Sequence, residues 1–307
     1  MWCSRAGRWG AAVVAFTLVA AGCSGANGGS ATAGVIAAVG AENQYANVIS
    51  QIGGKYVKVT SILDNPNADP HSFETSPSVA RAVSGARVVV QNGAGYDGFM
   101  DKIESAAPSS TRKVIVAQKV LGVPANRANP HLWYGPTTMP AVAAAVAEAL
   151  SGFEPAHAAY FHAQLQTFDS SLGPWLAAIS AFKTSDAGAK VATTEPVADD
   201  LLAAMGADNL TPFGFQADVM NGIDPAPQDI TLENGLFTRH QVKVFCYNAQ
   251  VVDALTSAIR NNAEKSGIPV VAVYETMPVG DSYQSWMLAE TQAIHKAVAS
   301  GISTEHL

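Results

Sequence analysis

Short apolar runs rich in β-branched residues alternate with helix-patterned stretches along this chain, and the alternation occurs twice. It predicts parallel sheets, because two neighbouring parallel strands need a crossover long enough to hold a helix. The first set of strand runs reads "GVIAAVG" (34–40), "YVKVTSIL" (56–63), "ARVVVQNG" (86–93) and "RKVIVAQ" (112–118). Helical stretches lie near 43–52 and 139–150, and Ser76 is placed to cap another that has Pro77 at its first position. The pattern then restarts with "AKVATTE" (189–195), a helix over 196–206, "VKVFCYN" (242–248), a helix through Asn262, "IPVVAVYE" (268–275) and a last helix near 283–299. The fold class is α/β, with two parallel-sheet lobes.

Between the two sets, residues 155–183 have almost no strand character. Tyr160, Phe161, Leu165, Phe168, Leu172, Trp175 and Leu176 recur there at helical spacing. A helix of about 30 residues at ~1.5 Å each spans ~45 Å, the width of a small domain. Pro174 is placed to kink it. The chain of 307 residues is also longer than one compact core usually organises. The expected division is an N-terminal lobe over 35–154, an interlobe helix over 155–185 and a C-terminal lobe over 186–307.

The first residues belong to neither lobe. Arg5 and Arg8 precede the apolar run "AAVVAFTLVA" (11–20), and "AAGC" ends at Cys23. The run is too short for an ordinary membrane-spanning helix and suits a signal peptide over 1–22. Small residues before Cys23 resemble the bacterial lipobox, with Ala20 where Leu is more usual. The resemblance implies lipidation of Cys23 and a lipid anchor on the extracytoplasmic face of the cell membrane. Residues 23–34, Gly-rich and polar, read as a flexible tether. An ordinary cleaved signal that frees the protein is the alternative.

Composition excludes several classes. Charged residues make up 14% of the chain and the net charge is −7, so no basic cluster exists to displace counterions from nucleic acid. The cysteines are Cys3, Cys23 and Cys246, so the body of the protein holds one thiol. A disulfide framework and a cysteine zinc site are both excluded, and Cys246, inside an apolar strand run, reads as packing.

Ligands of open α/β sheets bind in the crevice beyond the carboxyl ends of the strands. Those ends deliver His71 in "DNPNADPH", His131 in "NPHLW", Glu195 after "AKVATT" and Glu275 after "IPVVAVY". Two imidazoles and two carboxylates make a complete shell for a divalent transition metal. Their two negative charges balance the ion, which makes its burial tolerable. Imidazole binds metal only when neutral, so such a site weakens in acid. Singly, each residue has a bland reading: a hydrogen-bonded loop histidine, or a glutamate favoured at a helix N-terminus. Their shared placement at strand ends is what favours a site. His157 and His162 are five residues apart on the connecting helix and do not share a face. His240, His295 and His306 follow no strand end.

The segments "DPHSFETSPSVARAVSGARVVVQNG", "NPHLW", "TTEPVADDL", "FGFQADVMNGIDPAPQDI" and "ETMPVGDSYQSWM" resemble the solute-binding lipoproteins of bacterial zinc and manganese ABC importers. The resemblance runs from about Val35 to the C-terminus. It implies two α/β lobes joined by one long rigid helix, with the metal site in the interlobe cleft. His71 and His131 match the family's two N-lobe histidines, and Glu195 falls where manganese-type members carry Glu. The fourth ligand, usually Asp, is matched by Glu275, with Asp281 in "GDSY" as the alternative. The implied cargo is Mn2+ or Zn2+: two carboxylates favour the harder ion, while the general affinity order favours zinc. The implied partners are the importer's permease and its ATPase, with the chain a non-enzymatic monomer. Two other readings are a metal-dependent hydrolase, which needs an open coordination position for water, and a surface adhesin lipoprotein.

Overall fold

The computed structural model describes residues 34–67, 70 and 73–307. The signal peptide over 1–22, the lipidation site Cys23, the tether up to Ala33 and His71 lie outside the described residues.

Among the described residues, eight strands form two sheets of four. The first holds β1 (Ile36–Glu42), β2 (Val57–Leu63), β3 (Val88–Gln91) and β4 (Lys113–Val116) in the order β2-β1-β3-β4. The second holds β5 (Lys190–Thr193), β6 (Asp208–Asn209), β7 (Val244–Asn248) and β8 (Val270–Val273) in the order β6-β5-β7-β8. Every pairing is parallel. Both sheets wind the same way, each with a switch point between its two central strands. The inner strands β3 and β7 and the edge strand β8 are buried at every residue, as expected of parallel strands covered on both faces.

Helices in the first half are α1 (Asn43–Gly53), α2 (Pro77–Gly85), α3 (Gly98–Ala106), α4 (Ala117–Val120) and α5 (Thr138–Phe153). Ser76 Oγ accepts the Val79 N–H at 3.4 Å and Pro77 opens α2, the start that the sequence predicts. Helix α1 begins directly after β1 and lies so close to it that a Cβ on Gly40 would meet the Ala46 nitrogen at 2.3 Å. In the second half run α8 (Asp199–Met205), α9 (Phe213–Met220), α10 (Pro227–Thr238), α11 (Ala254–Lys265) and α12 (Tyr283–Ser300). Asp253 and Ser282 close capping boxes on α11 and α12.

The connector is two helices in series, α6 (Ala158–Ser171) and α7 (Gly173–Asp186), meeting at Leu172. Pro174 has no N–H to give back to the preceding turn, so the hydrogen-bond ladder is interrupted there. Leu172 keeps helical angles (φ −76°, ψ −12°) and its carbonyl accepts the Leu176 N–H at 3.0 Å, so the path continues through the break.

One apolar core runs through both halves. It joins Val88 and Val90 of the first sheet to Val244 and Val271 of the second, with Trp133, Trp175, Tyr283 and Trp286 between them. Trp175 of α7 also donates its indole N–H to Thr291 Oγ1 of α12 at 2.9 Å. A shared aromatic core of this kind opposes free rotation of the lobes.

Candidate metal centre

The carboxyl ends of the two sheets deliver their side chains to one buried place. Glu195 stands two residues beyond β5, Asn248 closes β7, and Glu275 stands two residues beyond β8. From the first half, a loop after α4 supplies His131. His131 and Glu275 are 0% exposed and Glu195 is 2% exposed. Asn248 Nδ2 donates to Glu275 Oε1 at 2.6 Å and to Glu195 Oε1 at 3.2 Å, so one amide spans both carboxylates. His131 Nε2 lies 3.2 Å from Glu275 Oε2.

The imidazole is oriented by Asn129. Its Oδ1 accepts the His131 backbone N–H at 3.0 Å, which identifies it as the amide oxygen, and it lies 2.9 Å from His131 Nδ1. Nδ1 therefore carries a proton, and Nε2 is the ring atom that faces Glu275 Oε2. An imidazole nitrogen facing a carboxylate oxygen at this distance is an arrangement that a proton or a metal ion bridges.

Further residues hold these groups in place. The Tyr96 hydroxyl donates to Glu275 Oε2 at 2.8 Å. Burial, and next the charge of Glu275, push that hydroxyl's pKa well up, so it stays a donor. The Tyr96 loop is tied by Asp97, whose carboxylate accepts the N–H groups of Asn92 at 2.5 Å and Gly93 at 2.8 Å. Burial raises Asp97 to about 6 in spite of those bonds. Gln250 Oε1 accepts the backbone N–H groups of Glu275 and Thr276 at 2.6 and 2.8 Å, fixing the turn after β8. From α1, Gln44 Nε2 donates to the Glu275 carbonyl at 3.3 Å, and Asn43 exchanges two hydrogen bonds with the Met277 backbone.

Of the residues that the sequence singles out, the structure brings together His131, Glu195 and Glu275. Asp281 sits in the turn before α12, where its Oδ1 accepts from Ser285 Oγ at 2.8 Å. Among the described residues no group of three His, Cys, Asp or Glu side chains closes a metal site by itself. His157 stacks on Tyr56 with centroids 4.1 Å apart, and His295 lies 3.3 Å from Asp186, both away from the strand ends. Cys246 is buried in β7, and burial holds its thiol in the protonated form. Sequence reasoning missed Tyr96, Asn129, Asn248 and Gln250. Asn248 ends a strand run and Asn129 opens "NPH", so applying the strand-end rule to uncharged polar residues would have found them.

The family described as "Zinc-uptake complex component A periplasmic" matches residues 39–297. The manganese-binding lipoprotein MntA of Bacillus subtilis (strain 168) is 24% identical over 270 residues, covering 84% of this chain and 85% of that protein. A Mn-bound mutant of a periplasmic metal-binding protein from candidatus liberibacter asiaticus superposes with a TM-score of 0.70 at 15% identity, covering 85% of this chain and 98% of that one. A mutant of the laminin-binding adhesin Lmb from Streptococcus agalactiae superposes with a TM-score of 0.72 at 18% identity, covering 86% and 99%. These two likenesses show a shared fold. The family match spans most of the chain, both sheets and all the strand ends described above, and this protein belongs to the family of periplasmic zinc-uptake component A.

Proposed function

We propose that this protein captures a divalent transition-metal ion, Mn2+ or Zn2+, outside the cytoplasm and delivers it to the permease of an ABC importer driven by a cytoplasmic ATPase. The observation that carries the reading is the buried meeting of His131, Glu195 and Glu275, with His131 Nε2 turned towards a carboxylate oxygen. His71, which the sequence delivers after β2, completes a shell of two imidazoles and two carboxylates. Family membership supports the transport role, and the name of the Bacillus relative supports manganese. In this reading no substrate bond is made or broken: two imidazoles and two carboxylates, each binding through one or two oxygens, supply four to six donors and fill the shell without a reactive water. The mature chain is a monomer, anchored through a lipid on Cys23.

Metal content by mass spectrometry tests the ligand set. Wild type retains one equivalent, whereas His71→Ala, His131→Ala, Glu195→Gln and Glu275→Gln each lose it. Full retention by any variant removes that residue from the shell. Absence of metal in wild type, with no thermal shift on adding Mn2+ or Zn2+, overturns the transport reading. For the anchor, Cys23→Ala should move the protein from the membrane fraction to the soluble fraction.

A further inference from the structure

Behind the metal centre, on the face of α12 that packs against the strands, Glu290 is 0% exposed and joins three separate pieces of chain. Its Oε1 accepts the Trp286 indole N–H at 2.6 Å and lies 3.2 Å from the backbone nitrogen of Tyr274, the residue before Glu275. Its Oε2 lies 2.6 Å from the hydroxyl of Tyr134, three residues after His131. The same hydroxyl lies 2.7 Å from the backbone carbonyl oxygen of Tyr274 and accepts that residue's N–H at 3.2 Å. A tyrosine hydroxyl owns a single proton. If Tyr134 gave it to a Glu290 carboxylate, two lone-pair-bearing oxygens would face each other at 2.7 Å with no hydrogen between them. Both contacts are satisfied when Tyr134 donates to the Tyr274 carbonyl and Glu290 donates its own proton to Tyr134.

We propose that Glu290 is a positioning residue for the metal centre, a neutral carboxylic acid whose proton fastens the His131 loop to the strand end that carries Glu275. This rests on the metal-binding reading above. The environment agrees with the proton count: burial, outweighing the hydrogen bonds that Tyr134, Trp286 and Tyr274 would give an ionised carboxylate, raises Glu290 to about 8. The titratable groups around it are Tyr134 from the loop before α5, Tyr274 beyond β8, Cys246 on β7 and Asp281 in the turn before α12. Asp281 is the charged one that acts on it, and its negative charge also favours the neutral form. Helices α1 and α7 meet α12 through uncharged groups, Gln51 with Gln284 and Trp175 with Thr291. Losing the proton forces Tyr134 to choose between Glu290 and the Tyr274 carbonyl, and the tie between the two ligand-bearing segments loosens towards the 3.2 Å bond from the Tyr274 N–H alone.

Glu290→Gln keeps a donor and an acceptor in the same place, and Tyr134→Phe removes the shared hydroxyl. Infrared difference spectra of metal-free wild type against E290Q read the protonated-carboxyl band directly. The expected result is such a band at neutral pH that titrates away in alkali; its absence at neutral pH overturns the proposal. Mn2+ and Zn2+ affinities by chelator competition at pH 7 and pH 9 read the positioning. E290Q should match wild type within about threefold at pH 7, and Y134F should bind about 10-fold to 100-fold more weakly, the usual effect of losing an outer-shell partner. Wild type should lose more affinity than E290Q on going to pH 9. Equal pH slopes, or wild-type affinity in Y134F, overturn the positioning role. If wild type binds neither metal, the functional reading fails, while the infrared band still decides the protonation of Glu290.

Discussion

Asn129 Oδ1 accepts two hydrogen bonds from the same residue, the backbone N–H of His131 at 3.0 Å and its ring Nδ1–H at 2.9 Å. The first bond fixes which amide atom is the oxygen, and the second fixes which ring nitrogen keeps the proton. A side chain two residues away thus sets the direction in which Nε2 points. Asn129→Ala should weaken Mn2+ and Zn2+ binding about 10-fold to 100-fold while leaving the fold intact. Titration calorimetry with circular dichroism checks both halves, and unchanged affinity would take the orienting role from Asn129.

Asn248 separates two buried carboxylates by donating to each. Asn248→Asp replaces that donor with a third acid, and like charges in a buried site repel. The metal-free variant should melt lower than wild type, and saturating Mn2+ should raise its melting temperature by more than it raises that of wild type. Parallel thermal melts with and without metal give the comparison; equal metal-induced shifts would contradict the bridging role.

Glu233 of α10 is 0% exposed; Thr211 Oγ1 donates to its Oε1 at 3.2 Å, and its Oε2 has no hydrogen-bond partner among the described residues. Burial raises it from an ordinary 4.5 to about 8. Across that window the folded chain holds a proton that the unfolded chain releases. The associated stability is fully present below about 4.5 and is lost as pH rises to about 8. The slope is about 1.4 kcal/mol per pH unit. Glu233→Gln should flatten the fall and unfold at higher urea than wild type at pH 8. Denaturation midpoints across this range measure it, and an unchanged slope would mean that Glu233 is ionised in the folded protein.

The α1 side chains Asn43, Asn47 and Gln51, four residues apart, grip the Met277 backbone, the Tyr283 N–H and the Gln284 side chain. Together with the shared aromatic core, these amides hold the segment after Glu275 against the first half. Small-angle scattering should therefore change little on metal binding. Asn43→Ala combined with Asn47→Ala should speed metal release in stopped-flow measurements. A large change in radius of gyration on loading wild type would overturn this picture of release by local movement.

The strands apart from the two-residue β6, their parallel pairing and the placing of His131, Glu195 and Glu275 at strand ends were legible in the sequence. Buried parallel strands must be apolar runs, and a polar residue at the end of such a run has few other places to go. Pro174 likewise announced the interruption at Leu172, because a missing N–H is a property of the residue itself. What surrounds those groups was decided by tertiary structure. Tyr96 reaches Glu275 across 179 residues of chain, and Asn248 meets both carboxylates only because β7 lies between β5 and β8. Glu290, within "SWMLAETQAI", looks from the sequence like any acid on a solvated helix face. Its burial against Tyr134 and Tyr274 comes from packing between distant segments. Local chemistry places a residue at a strand end, whereas its partners, tautomer and protons follow from the few ångströms around it, which distant parts of the chain fill.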